Sequence, residues 1–189
     1  MSETFRAFVA IDLPERVRSA LGAVQQELRS ANFRVKWVRP ASIHLTLKFL
    51  GDIDVARTEA VVEAMTLAAN DSSPLVLAPR GLGVFPNARR PRVIWVGLGG
   101  QLDLLKSLQR ELEARLADLG FPEESRAFKG HLTLGRVKGK MAAGRLQEAL
   151  DQLQRFESES FEVDRIILFK SVLQPKGAVY TKVKQVNLD

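Results

Sequence analysis

His44 and His131 are the only histidines in this 189-residue chain, and each opens the same tetrapeptide, HLTL. On a β-strand successive side chains point to opposite faces. His44 and Thr46 therefore share one face while Leu45 and Leu47 share the other. His131 and Thr133 repeat the arrangement in front of Leu132 and Leu134. Within each pair the polar positions lie roughly 6.5–7 Å apart along the strand, so both side chains reach one small ligand. Imidazole can give or take a proton close to neutral pH. A threonine hydroxyl can donate a hydrogen bond to a non-bridging phosphoryl oxygen. This set suits in-line displacement at phosphorus, in which the incoming water and the leaving oxygen stand on opposite sides of the phosphorus atom. One strand alone does not supply a histidine on each side. The expectation is that the two HLTL strands belong to two lobes and face each other across a cleft.

Other uses of these residues are less economical. A single histidine on an apolar strand is commonly structural, and threonine favours strands in any case, but that account has to hold twice with the same three following residues. A metal site has little to build on. The histidines show neither an HxH nor an HExxH spacing, and the chain has no cysteine. No metal and no cofactor are expected.

The elements that must position these motifs can be read from periodicity. "FRAFVAI" has strand character, and Pro14 starts a helix whose buried stripe is Val17, Leu21, Val24 and Leu28. Strands are expected at 33–38 and 43–51, then a helix at about 54–69 with Val61, Val62, Met65 and Ala69 facing inward. Two more strands flank a basic loop, "NARRPR". A third helix, about 101–119, carries Leu105, Leu108, Leu112, Leu116 and Leu119 and stops at Gly120. The second HLTL strand follows, then a helix at about 142–154 and a closing hairpin that turns at 175–177. Four helices among hairpin-like strands argue for an α+β fold with largely antiparallel sheet. The duplicated strand–helix unit suggests two lobes in a single unit spanning 1–189.

Hydrophobic residues make up 46% of the chain and charged residues 26%, as in ordinary globular proteins. No apolar run approaches a membrane span, and the alternating start reads as a strand of a cytoplasmic protein. The net charge of +6 favours an anionic partner, with nucleic acid first among them. Solvated loops account equally well for the densest basic groups, at 87–92 and 135–140. A monomer is expected, since the four apolar helix faces are all used in the core.

The paired H-x-T-x tetrapeptides resemble the signature of the 2H phosphoesterases. The surrounding blocks, "RAFVAIDLP", "WVRPASIHLTLKFLG", "GLGVFPNARRPRVIWVG", "HLTLGR" and "LFKSVLQPKGAVY", are similar to the RNA 2′,3′-cyclic phosphodiesterases, also called 2′-5′ RNA ligases, over nearly the whole chain. The resemblance implies two pseudo-symmetric lobes of antiparallel sheet around a central groove, with the helices outside. It implies metal-independent opening of an RNA 2′,3′-cyclic phosphate to a 2′-phosphomonoester, on RNA ends such as tRNA fragments or on nucleotides. Carried over by position, it makes His44 the proton donor, His131 the proton acceptor, and Thr46, Thr133 and Arg136 phosphate contacts. The identical motifs do not themselves say which histidine is acid and which base. One departure is Gly130, where the family usually has proline before the second histidine; glycine leaves that approach looser. RNA would be held by Arg89, Arg90 and Arg92, with Phe8 or Tyr180 stacked on the terminal base. Lys48 and Lys129 are further candidate phosphate neighbours. Two alternatives stay open: 2′-5′ ligation, the reverse reaction, and an RNA-end-binding module without turnover.

Overall fold

A computed structural model describes residues 3–139, 143–175 and 177–189. Its strands are β1 (Thr4–Ile11), β2 (Val35–Trp37), β3 (Leu45–Asp54), β4 (Leu75–Phe85), β5 (Val93–Gly100), β6 (Leu132–Val137), β7 (Phe161–Val163), β8 (Arg165–Gln174) and β9 (Gly177–Asn187). The helices are α1 (Glu15–Ser30), α2 (Thr58–Asn70), α3 (Leu102–Asp118) and α4 (Ala143–Gln152). The expected start of the last helix at 142 lies outside the described residues, as does residue 176 of the closing turn.

All the strands belong to one curled antiparallel sheet in the order β7-β4-β5-β6-β3-β1-β8-β9, with β2 added beside β6. The order is symmetric about its middle: β3-β1-β8-β9 on one side is matched by β6-β5-β4-β7 on the other. The strand–helix unit β1-α1-β3 has its counterpart in β5-α3-β6. The duplication is as expected, but the arrangement of the motif strands differs from that expectation. β3 and β6 do not face each other across a cleft. They are antiparallel neighbours at the centre of the sheet, in register at Leu45 and Leu132.

The helical stripes form as the periodicity predicts. Val17, Leu21, Val24 and Leu28 of α1 are buried, and so are Leu105, Leu108, Leu112 and Leu116 of α3. On α2, Ala64 and Ala68 join Val61, Met65 and Ala69, while Val62 is only half-buried. Leu45, Leu47, Leu132 and Leu134 all enter the same core. The chain end is more divided than a hairpin. β7 pairs with β4 in one half, whereas β8 pairs with β1 in the other, so the chain changes halves at Asp164.

Two polar contacts brace the central seam from behind. Gln25 of α1 is 1% exposed, and its side-chain amide donates to the carbonyls of Val38 and Leu134 at 2.7 and 2.8 Å. Lys48 of β3, 2% exposed, pairs with Glu113 of α3 and donates to the Pro122 carbonyl. Glu113 also accepts from Gln109 and from the backbone of Glu124. Each bracing helix thus holds the motif strand of the opposite half. Lys48, a candidate phosphate neighbour on sequence, points away from the groove into this pair.

Candidate functional site

Continuing the Leu45–Leu132 register by one residue in each direction sets His44 opposite Thr133 and Thr46 opposite His131. The four polar side chains stand on the face away from the leucine core. From strand rise and spacing, the two histidine Cα atoms are roughly 8 Å apart along the diagonal. Antiparallel neighbours therefore achieve what facing strands were expected to do: a local two-fold axis puts one imidazole at each end of a small polar square.

Both rings are tethered in the same way. Nδ1 of His44 lies 2.9 Å from the Ser42 carbonyl, and Nδ1 of His131 lies 2.7 Å from the Lys129 carbonyl. A carbonyl oxygen only accepts, so in each ring Nδ1 carries the hydrogen and Nε2 is left for chemistry. Burial pushes both imidazoles below their ordinary pKa, partly offset by these backbone hydrogen bonds. The charged neighbours differ. Asp12 draws the His44 pKa up, against Arg18 and His131, whereas the Lys129 and Arg136 charges near His131 both push its pKa down.

A β-bulge occurs at the same point of each motif. Val9 pairs with Lys48 and Ala10 with Thr46, which makes Leu47 the extra residue. Ile94 pairs with Gly135 and Trp95 with Thr133, which makes Leu134 the extra residue. The bulge reverses the alternation beyond it. Phe49 consequently meets Phe8 on the groove face, 6.0 Å between centroids. Arg136, its counterpart, is exposed and close enough to His131 to influence it electrostatically. Strict alternation from Thr133 would have put Arg136 behind the sheet. Gly135 fits at the bulge because a Cβ there would stand 2.5 Å from Val35 Cγ1. Gly130, by contrast, does not make its loop loose. It lets the loop settle onto Leu98 and Leu105, whose methyls would lie 3.1 and 3.3 Å from an added Cβ.

The aromatic surroundings correct one expectation. Phe8 is 3% exposed, stacked beneath His44 at 4.8 Å and against Phe169 at 5.3 Å. Its ring faces are occupied, so it supports the imidazole and has no free face for a base. Tyr180 meets the His44 ring edge-on at 5.0 Å and lines a cavity of about 310 Å³ with Arg39 and Phe169. Residues missed in the sequence also lie here. Asp12 pairs with Arg18 and, at 2.7 Å, with Lys182. Burial alone would raise the Asp12 carboxyl, but the Lys182 hydrogen bond and the two positive charges hold it below its usual range. Isolated charges at a strand end and a helix start gave no signal of this cluster.

On the other side Phe85 meets His131 edge-on at 5.0 Å, and Lys129 Nζ lies 4.6 Å over the Trp95 ring. The basic loop joins β4 to β5. The backbone N–H groups of Arg89 and Arg90 both donate to Asn87 at 3.1 Å, leaving their side chains exposed. Arg92 reaches the same edge of the site, its carbonyl accepting from Val137 N–H one residue beyond Arg136. Among the described residues, no helix is long and apolar enough to cross a membrane.

Comparisons with known proteins match the chain over almost its full length. The family described as LigT like Phosphoesterase matches residues 11–95 and 98–180. The chain is 37% identical over 183 residues to the RNA 2′,3′-cyclic phosphodiesterase of Methanothermobacter thermautotrophicus, covering 97% of this chain and 98% of that one. It is 35% identical over 185 residues to the protein of the same name from Archaeoglobus fulgidus, covering 95% and 98%. The crystal structure of TT0787 of Thermus thermophilus superposes with a TM-score of 0.80 at 30% identity, over 97% of each chain. Escherichia coli LigT complexed with 3′-AMP shares the fold, with a TM-score of 0.76 at 24% identity over 98% and 99% of the two chains. With its two HLTL strands paired at the centre of one curled sheet, the chain belongs to the LigT-like phosphoesterase family.

Proposed function

We propose that the chain opens RNA 2′,3′-cyclic phosphate ends to 2′-phosphomonoesters by acid–base catalysis without a metal. Water approaches phosphorus from the His131 side and gives its proton to Nε2 of His131. The bond from phosphorus to O3′ breaks on the opposite side, and His44 protonates that oxygen. Thr46 and Thr133 donate to the non-bridging oxygens, and Arg136 draws the phosphate toward His131. The observation that carries this reading is the diagonal register, in which two imidazoles with fixed Nδ1–H tautomers stand at opposite ends of a threonine pair. The names of the full-length relatives support the substrate.

The charges support a division of labour that identical motifs leave open. A base must be neutral, and the Lys129 and Arg136 cations favour the neutral form of His131. An acid must be protonated, and the Asp12 carboxylate favours that form of His44. A bound phosphate anion raises both imidazoles alike, which aids His44 as the acid and leaves the distinction to the neighbouring charges.

The test uses an oligoribonucleotide ending in a 2′,3′-cyclic phosphate, incubated with the chain in the presence of EDTA. A 2′-phosphate product is expected, with the rate falling on the order of 10²–10⁴-fold in His44→Ala and in His131→Ala. Loss of activity on chelation would overturn the metal-free mechanism. Tight binding of unchanged RNA would point instead to a module without turnover.

A further inference from the structure

The internal two-fold relation of the sheet gives the second half a cavity of its own. Its volume is about 460 Å³, and it is enclosed by β4, β5, the first turns of α3, the loop before His131, and Gln154 just after α4. Among the described residues that line it there is no histidine, no motif threonine and no carboxylate. The Trp95 ring stands between this space and the catalytic square, its centroid 6.4 Å from that of His131. A ligand held here is therefore out of reach of the motif side chains.

The two cavities differ in how their cations are balanced. Beside His44, the Asp12 carboxylate pairs with Arg18 and Lys182. In the second cavity Arg80, Lys106 and Lys129 come together without such a partner. Among the described residues Arg80 and Lys129 form no ion pair, and Lys106 has one exposed contact, with Asp103 at 3.6 Å. Like charges gathered around one space repel, and an anion between them relieves the repulsion. The rest of the wall is apolar and fixed in place. Trp95 lies so close to the β4 backbone that a Cβ on Gly83 would stand 2.2 Å from its Cζ2. Leu105 is buried, and Leu98 and Phe128 pack against the core. An apolar wall facing a few convergent polar groups, in a space of this size, is how a pocket for one small molecule is built. The wall suits a flat ring, and the three cations suit a phosphate.

We propose that this cavity is a second nucleotide site, separate from the catalytic square, with the base packed against Trp95 and Phe128 and the phosphate held by Arg80, Lys106 and Lys129. No bond is made or broken there. The same chemistry comes from two sources, a free mononucleotide and one residue within a bound RNA, and the experiment tells them apart.

The chain has two tryptophans, Trp37 and Trp95, so Trp37→Phe leaves Trp95 as the single reporter. Adenosine 5′-monophosphate titrated into that full-length variant is expected to change the Trp95 emission saturably. Arg80→Glu/Lys106→Glu should weaken this binding about tenfold or more, while KM for adenosine 2′,3′-cyclic phosphate stays within about twofold. Arg80→Lys/Lys106→Arg should retain the binding, which separates lost charge from lost fold. An oligoribonucleotide ending in a 2′,3′-cyclic phosphate then identifies the source. A residue of the RNA as occupant makes its KM rise about tenfold on charge reversal; a free nucleotide as occupant leaves that KM unmoved. No saturable change in emission, binding indifferent to charge reversal, or equal weakening of the monophosphate and the cyclic mononucleotide would overturn the site. Failure of the unaltered chain to open the cyclic end would overturn the function proposed above, and the Trp95 titration would still decide the site.

Discussion

At the scale of single residues, what distinguishes His44 from His131 is charge, since motif and tether are the same. Burial puts the pKa of both rings below the ordinary histidine value near 6.5. With His131 as base and His44 as acid, as proposed, activity is expected to rise with pH as His131 loses its proton and to fall as His44 loses its own. The bell in kcat/KM is expected to centre on the acid side of pH 6.5. A maximum above about pH 8 would contradict the environments described. Asp12→Asn removes the one anion that raises His44 and releases Arg18 and Lys182. The alkaline limb should move to lower pH while the acid limb, set by His131, stays in place. Equal movement of both limbs would mean that Asp12 acts on the fold and has no particular hold on His44. Phe8 shows where residue-level reading stopped. The sequence offers it as a ring for the terminal base, but only the packed structure shows that His44 and Phe169 already cover it.

At the scale of elements, the HLTL strands and the leucine stripes of α1 and α3 were legible because their apolar periodicity is local. The split at Asp164 was not, since "FEVDRIILF" is continuous strand-like text and pairing partners far along the chain decide where it divides. Arg136 entered only through resemblance, because the bulge at Leu134 that brings it to the groove leaves no mark in single-residue propensities. The braces were equally silent. Gln25 reads as part of a polar helix face and Lys48 as a groove cation until tertiary packing buries both. Lys48→Met should lower stability by about 3–5 kcal/mol, because it leaves the Glu113 carboxylate without its buried partner. Denaturant unfolding measures this, and a loss below about 1 kcal/mol would mean that water replaces the ammonium readily.

At the scale of the whole molecule, the net charge of +6 and the exposed Arg89 and Arg90 are expected to act on long anionic substrates more than on short ones. KM for a cyclic-ended oligoribonucleotide should rise steeply with salt, with a slope near 0.7 in log–log form for each phosphate contacted. KM for a cyclic mononucleotide should respond much less. Equal slopes would confine recognition to the reacting phosphate. The fold class and the duplication could be read from the chain, whereas the closure of both halves into one sheet depends on long-range pairing of β6 with β3 at Leu45–Leu132 and with β2 at Val35–Trp37.

The crossed braces behind that seam bear on how variants of this chain are to be understood. The helix that follows β1 holds the strand of His131, and the helix that follows β5 holds the strand of His44. Nearness along the sequence therefore misleads about which histidine a lesion disturbs. A lesion at Gln25 is transmitted to the second motif and one at Glu113 to the first, so defects at these two positions appear in the half opposite the one that carries the change.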